Sequence, residues 1–355
     1  MPYKLVPTIK RNYSFFKYNV KPFKPAMVGS HIYKRLKSKI LPSANFRIID
    51  LAITYKCNLF CEHCSAKIME RNDDTLTLDD YRNLARQASK LDNLSWNITG
   101  GEPLLVDWLD DLISILTPKT HFISVQTNCM LLSREKAEHL AKIGVNCITT
   151  SLDSCRAEEH NRFRGHNDSY ERVINGVRNA RRAGMQVLIA GTVTHQNIRS
   201  EPLEKLIQLA NKNGAIFLYN LAVPCGEWKD KNEFTLRDND REHLYYLLNK
   251  YPRSSTDHEV GRNEVGCPAG MEKIYITPYG DVLPCPFIHI SFGNILHDPL
   301  DEIINRMRRI PEFGGYPKIC VAAEDKSFHE KIFPKIYSAD QTQIPIPYDK
   351  VFTLD

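Results

Sequence analysis

Six short apolar runs, each followed by a stretch with apolar residues at 3.6-residue spacing, occupy the first 250 residues of this 355-residue chain. The runs are 46–54, 94–99, 121–126, 146–151, 186–194 and 215–223, and the helical stretches are 78–90, 104–116, 134–143, 170–183, 202–213 and 241–250. Strands that alternate with helices pair in parallel through right-handed crossovers, so the pattern predicts a parallel α/β sheet. Gly144, Gly184 and Gly214 stand where three of the helices must stop, as glycines that accept the left-handed conformation do. A partial (βα)6 barrel and a doubly wound open sheet fit this spacing equally well.

The alternation ends near Tyr251. Residues 252–265 are polar and read as a loop, whereas 271–277 and 282–285, joined through Tyr279-Gly280-Asp281, read as a β-hairpin. Asp298 or Pro299 should open a last helix that runs to Arg309, with Asp at the cap and Pro at its first position. From Pro311 onward the chain is rich in proline and aromatics and is expected to wrap the body as irregular chain. The expected division is an extension at 1–45, an α/β core at 46–250, a small second domain at 251–330 and a tail at 331–355.

Composition narrows the class. At 42% hydrophobic and 25% charged residues the chain is ordinary globular protein, and without a run of about 18 apolar residues it lacks a membrane-spanning segment. Ten cysteines without a secretory signal point to reduced thiols or metal ligands in a cytoplasmic protein rather than to a disulfide framework. The net charge of +5 hides an asymmetry, because residues 1–49 carry eleven Lys or Arg and no Asp or Glu. Aromatics interleave with these cations, so the arm could meet an anionic membrane surface or a phosphorylated substrate, while nothing in it points firmly to nucleic acid.

The chemistry is concentrated just after the first strand, in Cys57-Asn58-Leu59-Phe60-Cys61-Glu62-His63-Cys64. Three thiolates on one loop can converge on one metal centre, and three is one short of closed tetrahedral zinc or four-cysteine cluster ligation. A zinc site completed by His63 or by a distant residue is the competing reading. The spacing differs from the paired CxxC of zinc ribbons. The loop also lies at the C-terminal end of a strand, where α/β barrels place their chemistry. Gly100-Gly101-Glu102-Pro103 follows the second strand. Its glycines allow close backbone approach, its carboxylate can take an ammonium or orient the turn, and its proline can start a helix.

CxxxCxxC after a first strand, followed by Gly-Gly-Glu-Pro after the second, resembles the radical S-adenosylmethionine (SAM) superfamily. Further along, Gln126-Thr127-Asn128 resembles that family's Thr-Asn-Gly turn with Cys129 in the glycine's place. Ser151-Leu152-Asp153, His160 and Arg164-Gly165 resemble a stretch of its SPASM and Twitch branches. The resemblance implies a partial (βα)6 barrel and a [4Fe–4S] cluster on Cys57, Cys61 and Cys64. It also implies SAM bound at the open iron with help from His63, Gly100, Gly101, Glu102, Ser151 and Arg164, and residues 221–223 flanking its adenine. Reductive cleavage of SAM would then give a 5′-deoxyadenosyl radical that abstracts hydrogen, with electrons from a donor such as flavodoxin or ferredoxin.

Cys267, Gly280 and Cys285 form C-x12-G-x4-C around the expected hairpin and match the opening of the SPASM or Twitch auxiliary-cluster domain. Cys320 adds a third thiol, but the dense cysteine run that completes a full SPASM domain is absent. One auxiliary iron–sulfur cluster is therefore expected, with Cys225, a non-cysteine group or substrate in its fourth position. A zinc site or buried thiols are the competing reading there. Enzymes of this type act on ribosomal peptides, protein side chains and sugar-like metabolites. The expected substrate is a small molecule of the sugar or phosphorylated kind, with maturation of a ribosomal peptide or protein side chain as the alternative and a non-catalytic iron–sulfur or zinc protein as the third reading.

Overall fold

The computed structural model describes residues 29, 33, 47–256, 266–338 and 344–353. The basic arm, apart from Gly29 and Tyr33, lies outside the described residues, and so does the expectation of membrane contact built on it. Among the described residues no helix is long and apolar enough to cross a membrane.

Six parallel strands form as the apolar runs predict: β1 (Ile48–Ala52), β2 (Ser95–Thr99), β3 (Phe122–Gln126), β4 (Cys147–Ser151), β5 (Gln186–Val193) and β6 (Ile216–Leu221). They are followed by β7 (Ser254–Thr256), β8 (Lys273–Ile276) and β9 (Val282–Leu283) in one nine-stranded sheet of order β7-β6-β5-β4-β3-β2-β1-β8-β9. Strands β1 to β6 lie side by side in chain order, without the reversal that defines a doubly wound sheet. That order selects the partial barrel, open because β1 pairs with β2 and β8 rather than with β6 or β7. Ile49, Leu51, Ile98, Ile123, Val125 and Ile148 are fully buried, as the strands of a parallel sheet covered on both faces should be.

The helices are α1 (Leu78–Lys90), α2 (Leu109–Ile115), α3 (Arg134–Ile143), α4 (Ala157–Arg164), α5 (Ser169–Arg182), α6 (Glu201–Lys212), α7 (Asp238–Lys250) and α8 (Leu300–Arg308). A capping box starts α1: Asp80 N–H donates to the Thr77 hydroxyl, and Thr77 N–H donates to the Asp80 carboxylate at 2.8 Å. Gly144 caps α3 at φ +114°, and Gly184 and Gly214 follow α5 and α6 at φ +85° and +77°, the stops their positions indicated.

Four expectations need correction. The stretch 104–116 is a single 3-10 turn, Pro103–Leu105, and then the shorter α2. Residues 252–265 are not all loop, since Ser254–Thr256 pairs with β6 as β7. Helix α8 begins one residue later than expected, with Pro299 itself at the cap and no side-chain cap bond. The tail is not irregular either. It forms α9 (Pro311–Gly314), α10 (Val321–Glu324), α11 (Lys326–Lys331) and α12 (Phe333–Tyr337). These helices are held by edge-on aromatic contacts, Phe292 to Phe313 at 5.7 Å and Phe328 to Phe333 at 5.3 Å between ring centres.

Candidate metal centre

The loop after β1 is gripped from three sides. From β2, Gly101 N–H donates to the Thr54 carbonyl at 2.7 Å and Glu102 N–H to the Lys56 carbonyl at 2.9 Å. A Cβ on Gly101 would lie 2.3 Å from the Lys56 oxygen, so only glycine permits that approach. The end of α4 contributes its own carbonyls, with Phe60 N–H donating to Arg164 at 3.2 Å and Glu62 N–H to Phe163 at 3.0 Å. After β6, Glu227 N–H donates to the Cys64 carbonyl at 3.2 Å, and Gly226, at φ +60°, sits where a Cβ would lie 2.3 Å from that same oxygen. Cys57, Cys61 and Cys64 are thus presented on a loop whose backbone is fixed by the ends of β2 and β6 and by the end of α4.

Arg164 links this loop to β4. Its Nη1 donates to Cys61 Sγ at 3.5 Å, while Nε and Nη2 bind Asp153 Oδ2 at 2.7 and 2.6 Å. Burial raises the Asp153 carboxyl, but Arg164 and then His63 and His160 outweigh it and bring it down to about 2. Burial opposes the charge on Arg164, and Asp153 and Cys61 raise its pKa above the usual value. Thr192 completes Asp153 by donating its hydroxyl to Oδ1 at 2.7 Å. The guanidinium of Arg164, expected to help hold SAM, therefore holds a carboxylate of the protein itself, with its remaining nitrogen on the cysteine. His160 lies behind, accepting the Asp153 N–H at Nδ1.

Glu102 is fully buried and its oxygens already accept three donors, from Leu104 N–H at 3.0 Å, the Thr127 hydroxyl at 2.7 Å and Asn128 N–H at 2.8 Å. Burial raises its pKa against those bonds. In this arrangement Glu102 orients the turns after β2 and β3, the second of the two roles open to it. Asn128 Nδ2 in turn donates to Asn58 Oδ1 at 2.7 Å and lies 3.8 Å from Cys57 Sγ. Cys129, in the glycine's place, takes the left-handed conformation at φ +63°, so the turn forms despite the substitution.

His63 stacks on Phe163 at 4.5 Å and tilts against Trp228 at 5.5 Å. Burial, and then the charge of Arg164, push it down to about 3, so it is neutral. Ser151 ends β4 opposite Ala190, at the same end of the sheet, and Leu221, Ala222 and Val223 are buried where β6 ends. Beside them opens a cavity of about 230 Å³ bordered by Glu62, Asp153, Phe163, Thr192, Asn197 and Trp228. Sequence reasoning missed Asp153 as the partner of Arg164 and Gly226 as the support of Cys64. Asp153 stood in the same motif as Arg164, whereas no local signal marked Gly226.

The second cysteine group also comes together. Cys320 and Cys267 are hydrogen-bonded through their side chains, and both lie close to Cys285. All ten cysteines are free thiols. Burial pushes Cys57 up to about 11 and Cys285 up to about 12, so thiolates at these places need the positive charge of a metal centre. Among the described residues no three Cys, His, Asp or Glu side chains are grouped as ligands of one ion. An iron–sulfur cluster does not require such a group, because each thiolate binds a separate iron. Free cysteines in two groups of three, with a cation already donating to one sulfur, fit iron–sulfur ligation.

The Radical SAM superfamily model matches residues 51–210, and the SPASM model, an iron-sulfur cluster-binding domain, matches residues 267–324. The AdoMet-dependent heme synthase of Methanosarcina barkeri is 25% identical over 323 residues, covering 79% of this chain and 92% of that protein. The mycofactocin maturase MftC of Mycolicibacterium smegmatis is 29% identical, over 69% of this chain and 66% of its own length. Among solved structures, Streptococcus suis SuiB bound to its precursor peptide SuiA superposes with a TM-score of 0.60 at 19% identity, over 80% of this chain and 69% of SuiB. That likeness concerns the fold. With three cysteines on the loop after β1 and a second cysteine group in the segment matched by the SPASM model, the chain belongs to the radical SAM superfamily and is an enzyme of its SPASM-containing branch.

Proposed function

We propose that this enzyme abstracts a hydrogen atom from a small organic substrate. The observation that carries the reading is the three-sided grip on the Cys57–Cys64 loop, with Arg164 donating to Cys61 from a buried pair with Asp153. When bound, the [4Fe–4S] cluster and SAM supply a 5′-deoxyadenosyl radical from an electron delivered by a flavodoxin or ferredoxin. The protein's part is position and dryness. Gly101 and Gly226 fix the loop, Arg164 keeps positive charge at its sulfur, and His63, Phe163 and Trp228 form an aromatic wall that excludes water. His63, Gly100, Gly101, Glu102, Ser151 and Arg164 surround the place where SAM would lie, Glu102 as the organiser of its turns. Cys267, Cys285 and Cys320 would hold an auxiliary cluster, which would supply an anchor for substrate or an electron acceptor.

A small-molecule substrate is supported by the heme synthase match, which extends over nearly the whole of that relative. Peptide maturation is the second reading, favoured by the match to the mycofactocin maturase. Anaerobic assays with a chemical reductant would follow 5′-deoxyadenosine while an ultrafiltrate of the source cells, or the retained peptides and proteins, is added. Stimulation by the ultrafiltrate, lost in Cys61→Ala, is the expected result. Stimulation by the retained fraction alone would replace the small molecule with a peptide.

A further inference from the structure

The SPASM segment provides Cys267, Cys285 and Cys320, and the residues after Cys320 are Val321, Ala322 and Ala323, so the chain around it offers no fourth thiol. The fold brings one from elsewhere. Cys225 leaves the end of β6 on the segment Pro224-Cys225-Gly226 and is 3% exposed. It faces the C-terminal domain across Tyr337, whose hydroxyl accepts the Gly226 N–H at 3.3 Å and bonds the Cys225 sulfur. On its other side Tyr337 meets His289 edge-on, 6.1 Å between ring centres. His289 Nε2 is 3.2 Å from the carbonyl of Pro286, the residue after Cys285. Cys225 and Cys285 thus flank one aromatic side chain, Tyr337, and Cys225 lies near Cys64 as well.

We infer that Cys225 is the fourth protein ligand of the auxiliary cluster, replacing a cysteine that its own domain lacks. The inference rests on the auxiliary cluster itself and adds a ligand contributed by the radical SAM barrel. Cys225 is a buried thiol at the edge of the core, close to Cys285 on one side and Cys64 on the other; it makes no disulfide, and its side-chain partner is the Tyr337 hydroxyl, which would donate to a thiolate. His289 is the competing donor, because it is fully buried and its Nδ1 has no partner. Its Nε2–H on the Pro286 carbonyl leaves Nδ1 unprotonated, as in a ligating imidazole, so the His289→Ala variant decides between the two donors; the ring lies across Tyr337 from Cys225. Ligation by Cys225 also joins the two centres through the chain. Gly226, the next residue, packs on the backbone of Cys64, a ligand of the first cluster.

The test is metal content and spectroscopy of the full-length chain, reconstituted anaerobically as wild type, Cys225→Ala, Cys225→Ser and His289→Ala. Wild type should hold about eight irons, two clusters of four. Cys225→Ala should lose either one iron, with a three-iron signal in the oxidised sample, or about four, while the SAM-perturbed signal of the first cluster persists. Cys225→Ser, with a weaker oxygen ligand, should keep its irons and shift the auxiliary signal. His289→Ala should match wild type. Full iron and an unchanged auxiliary signal in Cys225→Ala would overturn the assignment, as would loss of both clusters in the alanine and serine variants alike. Loss confined to His289→Ala would transfer the role to histidine. About four irons in wild type itself would instead remove the auxiliary cluster on which the inference rests.

Discussion

Replacing Asp153 by Asn removes the countercharge of Arg164 without changing shape. Both side chains are nearly sequestered, at 8% and 12% exposure, so the guanidinium would be left buried beside one sulfur. Breaking a buried pair from one side costs about 3–5 kcal/mol. The lower end applies here, since the Asn oxygen can still accept from Thr192. The carboxyl is held at about 2 against an ordinary 3.8, a depression worth roughly 2 kcal/mol of folding free energy. Because the folded value is the lower one, that stability is complete above about pH 4 and fades as pH falls towards 2. Urea unfolding followed by circular dichroism, under anaerobic conditions, should therefore show a gap of about 3 kcal/mol between wild type and Asp153→Asn at pH 7. The gap should hold at pH 5 and narrow only in stronger acid. A cycle with Arg164→Gln should give a coupling of at least about 2 kcal/mol, with the double variant more stable than the sum of the singles. Strict additivity, or a single-variant effect below about 0.5 kcal/mol, would refute the view that this pair holds α4 against the cysteine loop.

Gly101→Ala should displace the Lys56 carbonyl and with it the loop, and iron analysis should show the first cluster depleted by about four atoms while the auxiliary signal remains. His63→Phe should retain stability and SAM-dependent activity, because a neutral ring stacked on Phe163 is all the site uses, whereas His63→Ala should lose about 1–2 kcal/mol in thermal unfolding. Glu102→Gln puts an amide where three donors converge, and a destabilisation of about 2–3 kcal/mol, measured by urea unfolding, is expected together with weaker iron retention at the first cluster.

The strands and most helices were legible because each buries a continuous apolar run or a regular apolar stripe. Helix α4 was not, since Ala157–Arg164 buries only His160 and its stability comes from the Asp153–Arg164 pair and the contacts of its end with the cysteine loop. Strand β7 escaped for a related reason: three residues, Ser254–Thr256, carry no periodicity and are strand only through pairing with β6. The tail helices were hidden by prolines at 311 and 334, which break longer patterns yet sit at helix starts, where a missing N–H costs nothing. At the site, cysteine spacing marked directly the two groups of thiols that the fold brings together. What the individual side chains do depended on which polar partners the fold brings to them. Arg164 and Glu102 both spend their bonds within the protein, an outcome no linear spacing encodes.

Strand β8 lies beside β1 in register, Ile48 opposite Lys273 through Leu51 opposite Ile276. A chain cut after residue 250 would strip β1 of one hydrogen-bonding flank and leave its backbone groups bare at an edge that invites sticking between copies. Modular exchange of the carboxyl-terminal part among such proteins therefore has to carry along a matching β1, or the graft will precipitate before it binds any iron.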